Sequence, residues 1–180
     1  MTEENRIIRR IINGEIDLFR ALVERYQKPI LRLINNLINN QHACEDIGQE
    51  VFLAAYKNLS SFDPACSSFS TWLFTIARNK SLNAMKKKNV LTLADLPENH
   101  DPQTPSNDLE LNDFFLELDR QLITLPARQR VAFTLAEVEG LPYEEIAQIE
   151  GARLGTIKSR INRAKKKLRR ALKDFGGDNA

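Results

Sequence analysis

The stretch Tyr143–Leu172, YEEIAQIEGARLGTIKSRINRAKKKLRRAL, decides the fold. Its first eight residues suit a short helix, and Gly151 permits a sharp turn after them. From about Leu154 to Leu172 the apolar residues Ile157, Ile161, Ala164, Leu168 and Leu172 recur at spacings of four, three, four and four. At about 100° per residue they form one stripe. Ile157 and Ile161 can pack back on Ile146 and Ile149, and Ala147 is small where two helices would cross. This is helix-turn-helix spacing.

The charge on the second helix is one-sided. From Gly151 to Lys173 there are ten Lys/Arg and no acid. A merely solvated helix mixes signs to gain pairs and limit repulsion. A polyanion offsets the repulsion here, and duplex DNA in the major groove fits best; RNA, an acidic protein or a solvated basic face are the alternatives. Ser159, Asn162, Arg163, Lys166 and Arg170 lie opposite the apolar stripe.

Outward from this block, the charge alternates in three parts. Residues 1–88 carry +4, residues 89–117 carry −7 with no Lys or Arg, and residues 118–180 carry +5. The acidic part is Pro-containing and without period, so it reads as a linker. Its 29 residues could reach roughly 95 Å when extended. The remainder has helical period. Ile7, Ile8, Ile11 and Ile12 make one stripe, and Asp17 is a candidate cap for the next helix. That helix presents Phe19, Leu22, Val23 and Tyr26. Pro29 marks a restart or kink before Ile30, Leu33, Ile34, Leu37 and Ile38. A further helix covers EDIGQEVFLAAYKNL, and Pro126 suits the first turn of another. The expected fold class is all-α: two helical domains, 1–92 and 118–180, joined by an acidic flexible linker at 93–117, the C-terminal domain a helix-turn-helix.

FSTWLFTIARNKSLNAMKKK, Phe69–Lys88, has aromatic residues at one end and lysines at the other. Aromatic faces stack on unpaired bases while cations hold the backbone. An extruded base needs amide or hydroxyl groups to read its edge. Thr75, Asn79, Asn83 and Lys87 recur at i, i+4 as a polar strip. Phe69 and Trp72 fit either a core or DNA contact.

Other chemistries are poorly supplied. With 42% hydrophobic and 28% charged residues the chain is globular. No apolar run approaches the roughly 18–20 residues of a membrane span, and the charged N-terminus lacks a signal-peptide core. Two Cys and two His make a four-ligand zinc site hard to assemble. There is no phosphate-binding glycine loop and no nucleophile–base pair. The expectation is a cytoplasmic, non-enzymatic protein with no cofactor and no metal. A stand-alone helix-turn-helix regulator with a ligand-sensing N-terminal domain is the competing reading.

The helix-turn-helix quoted above resembles the −35-reading element of bacterial extracytoplasmic-function (ECF) RNA polymerase sigma factors. EDIGQEVFLAAYKNLSSF and SFSTWLFTIARNKSLNAMKKK resemble the other domain of that family. The motifs cover nearly the whole chain in the family's order. The resemblance implies that Asp46, Gln49, Glu50 and Leu53 dock on core RNA polymerase. It implies −10 recognition and melting by Phe62, Asp63, Ser67, Ser68, Phe69, Trp72, Arg78, Asn79, Lys80, Asn83, Lys86 and Lys87. It implies −35 recognition by Arg153, Thr156, Lys158, Ser159, Arg160, Asn162, Arg163 and Lys166. Promoter DNA, core polymerase and an anti-sigma factor are the implied partners, and the acidic linker would thread the polymerase's RNA path. Three positions depart from the family pattern. Glu150 stands where a leucine is common, so its charge must reach the surface or find a partner. Ala152 and Arg153 replace an apolar residue followed by Pro or Ser, and Arg153 has no side-chain oxygen to cap the second helix.

Overall fold

The computed structural model describes residues 2–38, 40–91 and 109–173, with the side chains of 88–91 and 109–113 left aside. Among the described residues the regular structure is helical. Eight α-helices follow in order: α1 (Glu3–Ile12), α2 (Phe19–Ile38), α3 (Gln41–Lys57), α4 (Phe69–Leu91), α5 (Leu109–Ile123), α6 (Ala127–Phe133), α7 (Tyr143–Glu150) and α8 (Leu154–Ala171). The chain divides into two compact units, with the boundary after Ala84, inside α4. The helix α5 starts within the stretch read as linker, so residues 109–117 are helical. Residues 93–108 lie outside the described residues.

In the first unit, the apolar stripes of α1, α2, α3 and α4 close on one core. Thr2 caps α1 by accepting the Asn5 amide, and Ile8 and Ile11 are its buried residues. Pro29 does not restart the helix: α2 runs unbroken from Phe19 to Ile38. Burial of Ile30, Leu33, Ile34 and Leu37 on the same stripe as Leu22 and Tyr26 outweighs the one backbone hydrogen bond that proline removes. Asp17 falls inside a 3-10 turn, Ile16–Leu18, that leads directly into α2 at Phe19. Asn40 caps α3 through the Ala43 amide. Helices α2 and α3 pack closely at Gly48, where an added Cβ would stand 2.7 Å from Leu31 Cδ2. Tyr26 closes the unit across 22 residues by donating its hydroxyl to Glu4 Oε1 at 2.7 Å.

The second unit is built on α8. Ile157, Ile161, Ala164 and Leu168 are all buried, and Ile146 and Ile149 of α7 are buried with them. Farther along α8, Ala164 and Leu168 share a core with Leu122 and Leu125. Arg130 of α6 is 5% exposed. Its Nη2 donates to the carbonyls of Ile123 and Leu125, which satisfies acceptors left open at the end of α5. A π turn at Thr134–Val138 follows α6, with the Glu139 amide donating to the Thr134 carbonyl. Sequence period did not distinguish this turn from ordinary helix. Gly151 ends α7 at φ +57°, a left-handed conformation that lets the chain reverse into α8 within three residues.

Candidate nucleic-acid interface

Three helices, α3, α4 and α8, and the loop before α4 carry the residues singled out by sequence. On α3, Asp46, Gln49, Glu50 and Leu53 are exposed and fall on one side, opposite the buried Cys44, Ile47, Val51 and Ala55. Leu53 is 53% exposed and supplies apolar surface to this otherwise polar face. Tyr56, three residues on, continues this face and is also exposed; its ring meets Phe19 edge-on at 5.1 Å. Sequence reasoning missed Tyr56, although its i+3 relation to Leu53 was the available signal.

The loop before α4 is set by side-chain hydrogen bonds. Asp63 accepts the Ala65 amide at 2.9 Å and the Cys66 thiol at 3.3 Å. These bonds favour the carboxylate and hold the Asp63 pKa below its ordinary value. Ser68 accepts the Thr71 amide and so caps α4. Asp63 and Ser68 are exposed and Ser67 is half-buried.

Two aromatic assignments require correction. Phe69 is 1% exposed and Phe62 is 7% exposed, so neither has a free face for a base. Both belong to an aromatic cluster. Phe69 meets Tyr26 at 5.6 Å and Phe62 at 5.6 Å, edge to face in both cases. Trp72 packs on this pair at 5.6 and 5.7 Å but stays half-buried. The reason is position on the helix: Phe69, Leu73 and Ala77 recur every four residues on the core side.

Beyond Trp72, α4 presents polar groups. Asn79, Asn83, Lys86 and Lys87 are exposed. At about 100° per residue, Trp72, Asn79, Asn83 and Lys86 lie within roughly 60° of one another. Thr75 drops out of the polar strip because its hydroxyl donates to the Thr71 carbonyl at 2.8 Å. Arg78 donates to the Asn79 side-chain oxygen at 2.8 Å. Lys80 reaches α3 instead, with its Nζ 2.8 Å from Glu50.

On α8, Arg153, Thr156, Lys158, Asn162, Arg163 and Lys166 are exposed and Ser159 is half-buried. Arg153 occupies the N-cap position without a side-chain cap bond. Arg160 is a further correction. It forms an ion pair with Glu150 at 2.5 Å, the two side chains being 16% and 0% exposed. This pairing is the partner that the charge at Glu150 required. Among the described residues there is no group of three or more His, Cys, Asp or Glu placed to hold a metal, and no helix long and apolar enough to cross a membrane.

Residues 22–90 match the family described as Sigma-70 region 2, and residues 115–168 match Sigma-70, region 4. Two such units in this order define the sigma-70 class of transcription initiation factor. The chain is 31% identical over 183 residues to the ECF RNA polymerase sigma factor SigW of Bacillus subtilis, covering 93% of this chain and 96% of that protein. It is 33% identical to SigE of Mycolicibacterium smegmatis over 88% of this chain, but spans 63% of that protein's length. The sigma factor RpoE of Bartonella quintana, solved in complex with the anti-sigma factor NepR, superposes with a TM-score of 0.70 at 31% identity, covering 86% of this chain and 96% of that one. This chain belongs to the ECF RNA polymerase sigma factor family.

Proposed function

We propose that this sigma factor divides promoter-specific initiation between its two units. Residues 1–92 dock on core RNA polymerase and read and melt the −10 element. Residues 118–180 read the −35 element, and residues 93–117 connect them. The docking face is the exposed α3 stripe Asp46, Gln49, Glu50 and Leu53, extended by Tyr56. The −10 reader consists of Trp72, Arg78, Asn79, Asn83, Lys86 and Lys87 with the loop residues Asp63, Ser67 and Ser68, and Lys80, paired with Glu50, borders it. The −35 reader consists of Arg153, Thr156, Lys158, Ser159, Asn162, Arg163 and Lys166. The observation that carries this division is the polar face of α4 beyond a half-buried Trp72, present in the same chain as a basic helix-turn-helix. A ligand-sensing repressor needs no such α4 face.

The protein acts in the cytoplasm, without catalytic chemistry of its own. An anti-sigma factor holds it inactive by covering polymerase-docking surfaces; the Bartonella quintana relative is solved in complex with the anti-sigma factor NepR. The test is gel filtration of this protein with bacterial core RNA polymerase in the absence of DNA. Co-elution at near-equal stoichiometry is expected. Failure of the folded chain, free of any anti-sigma partner, to co-elute would favour a stand-alone regulator.

A further inference from the structure

We propose that Glu150 is a positioning and specificity-determining residue of the −35 reader, acting through Arg160. The inference rests on the reading of α8 as the DNA-contacting helix.

Glu150 is an expensive residue at its position. It is the last residue of α7, where the helix dipole opposes a negative charge. Its side chain is fully buried, and an unpaired buried carboxylate is strongly unfavourable. Arg160 offsets both costs through the 2.5 Å contact. Arg160 lies ten residues along, on α8, so the pair fastens the end of α7 to the middle of the reading helix. A guanidinium has a planar fork of fixed geometry, so the pair restrains rotation of α8 beneath α7. A leucine at 150 would fill the space without that directional restraint.

The same contact removes a cation from the DNA-facing inventory. Arg160 is on the flank of α8, between the apolar stripe and the exposed face, and its side chain is 16% exposed. Released, it would reach toward the polyanion. Two other α8 cations are also engaged within the unit: Lys165 with Glu137 at 2.8 Å, and Lys167 with the Thr124 carbonyl at 2.7 Å. The exposed α8 cations outside these contacts are Arg153, Lys158, Arg163, Lys166, Arg169 and Arg170, and Thr156, Ser159 and Asn162 lie among them. Fewer sequence-blind phosphate contacts weaken non-specific binding and leave discrimination to the base-facing residues.

The test uses the full chain bound to core RNA polymerase and double-stranded promoter fragments with an intact or a scrambled −35 element. Affinity is measured from 50 to 200 mM salt. Each phosphate contact contributes about 0.9 to the slope of log affinity against log salt, or about 3.5-fold over that range. Glu150→Leu is expected to steepen the slope by about 0.9 and to reduce discrimination between intact and scrambled fragments by about threefold or more. Arg160→Met alone takes the guanidinium away from a buried carboxylate and can unfold the unit, so the paired variant E150L/R160M is made as well. That double variant is expected to fold, to keep the wild-type slope and to lose discrimination, because the directional tie is gone while no phosphate contact has been removed. A double variant with a slope shallower by about 0.9 would overturn the inference, since Arg160 would then have been on phosphate throughout. A Glu150→Leu variant indistinguishable from wild type in slope and discrimination would overturn it too. Arg163→Ala separates this from failure of the underlying reading. If α8 faces DNA, Arg163→Ala lowers the slope by about 0.9 or relaxes one base position. If neither changes, α8 is not the −35 reader and the role of Glu150 falls with it.

Discussion

The Nζ of Lys80 lies 2.8 Å from Oε2 of Glu50, tying α4 to α3 across 30 residues. One partner comes from the helix assigned to −10 DNA and the other from the face assigned to polymerase. The Glu50 side chain is 63% exposed and that of Lys80 31%. An exposed pair of this kind contributes little to stability, about 0–1 kcal/mol. Glu50→Arg and Asp46→Arg should therefore leave the fold intact while reversing charge on the docking face. The expected loss in affinity for core polymerase is about tenfold or more each, about 1.4 kcal/mol. Fluorescence anisotropy of labelled protein against core polymerase measures it, with circular dichroism as the folding control. Wild-type affinity in both variants would remove these residues from the interface.

Phe69 and Trp72 are neighbours in sequence and in space, yet they should respond differently to truncation. Phe69→Ala opens a cavity in the aromatic cluster and is expected to cost about 3–5 kcal/mol. That corresponds to a drop in melting temperature of more than about 12 °C. Trp72→Ala removes a half-buried ring and should cost about 1–2 kcal/mol of stability. Its larger effect should be on open-complex formation, because stacking on an unpaired base is worth about 1–3 kcal/mol. Thermal melts of both variants, with open-complex assays at a temperature where both are folded, test the split. Equal losses of stability would place Trp72 wholly in the core.

Cys44 gives a pH dependence. It is buried in α3, donates its thiol to the Leu31 carbonyl, and its pKa is pushed by burial from 9.0 up to about 11. The folded value is above the unfolded one, so the thiol's contribution is fully present below pH 9. It is lost as pH rises through about 11, because only the unfolded chain readily ionises there. The loss should approach about 2 kcal/mol. Denaturant unfolding followed by the single tryptophan, Trp72, reports the unit that contains Cys44. Between pH 8.5 and 11, wild type should lose more stability than Cys44→Ala. Parallel curves for the two proteins would sink the prediction.

Much of this was readable from residue spacing, and the misses have physical reasons. The start of α7 at Tyr143 and of α8 at Leu154 follows from apolar period and one glycine turn. The continuity of α2 through Pro29 does not, because packing on both sides of the proline decides it. The start of α5 at Leu109 was hidden by acidic residues that resemble linker composition. Exposure was harder than helicity. Phe62, Phe69 and Trp72 all read as base-stacking candidates, and only the three-dimensional cluster assigns the first two to the core. Arg160 looked like the other basic residues of α8 because the sequence shows its charge but not its partner ten residues back. Tyr56 was passed over because an exposed aromatic and a buried one look alike in a helical pattern.

Asn79 should be the most informative single position on the −10 side. It is exposed on α4, in line with Trp72, Asn83 and Lys86, and its side-chain oxygen accepts from Arg78 of the same helix. Asn79→Ala should therefore change stability by no more than about 0.5 kcal/mol. A side-chain amide that reads an extruded base loses about 1–3 kcal/mol of discrimination when removed. The chain has a single tryptophan, and two of the nearby phenylalanines are committed to the core. Little stacking energy is then available to hold melted DNA, so base reading by the amides must supply much of the selectivity. Single-base changes in the −10 element should accordingly abolish open-complex formation by the wild-type holoenzyme, as read by permanganate reactivity of unpaired thymines. Asn79→Ala should lower opening on the intact promoter while narrowing the gap to the mutated ones. If wild type opens singly mutated promoters as well as the intact one, the α4 amides do not read bases, and the exposed strip serves the DNA backbone alone.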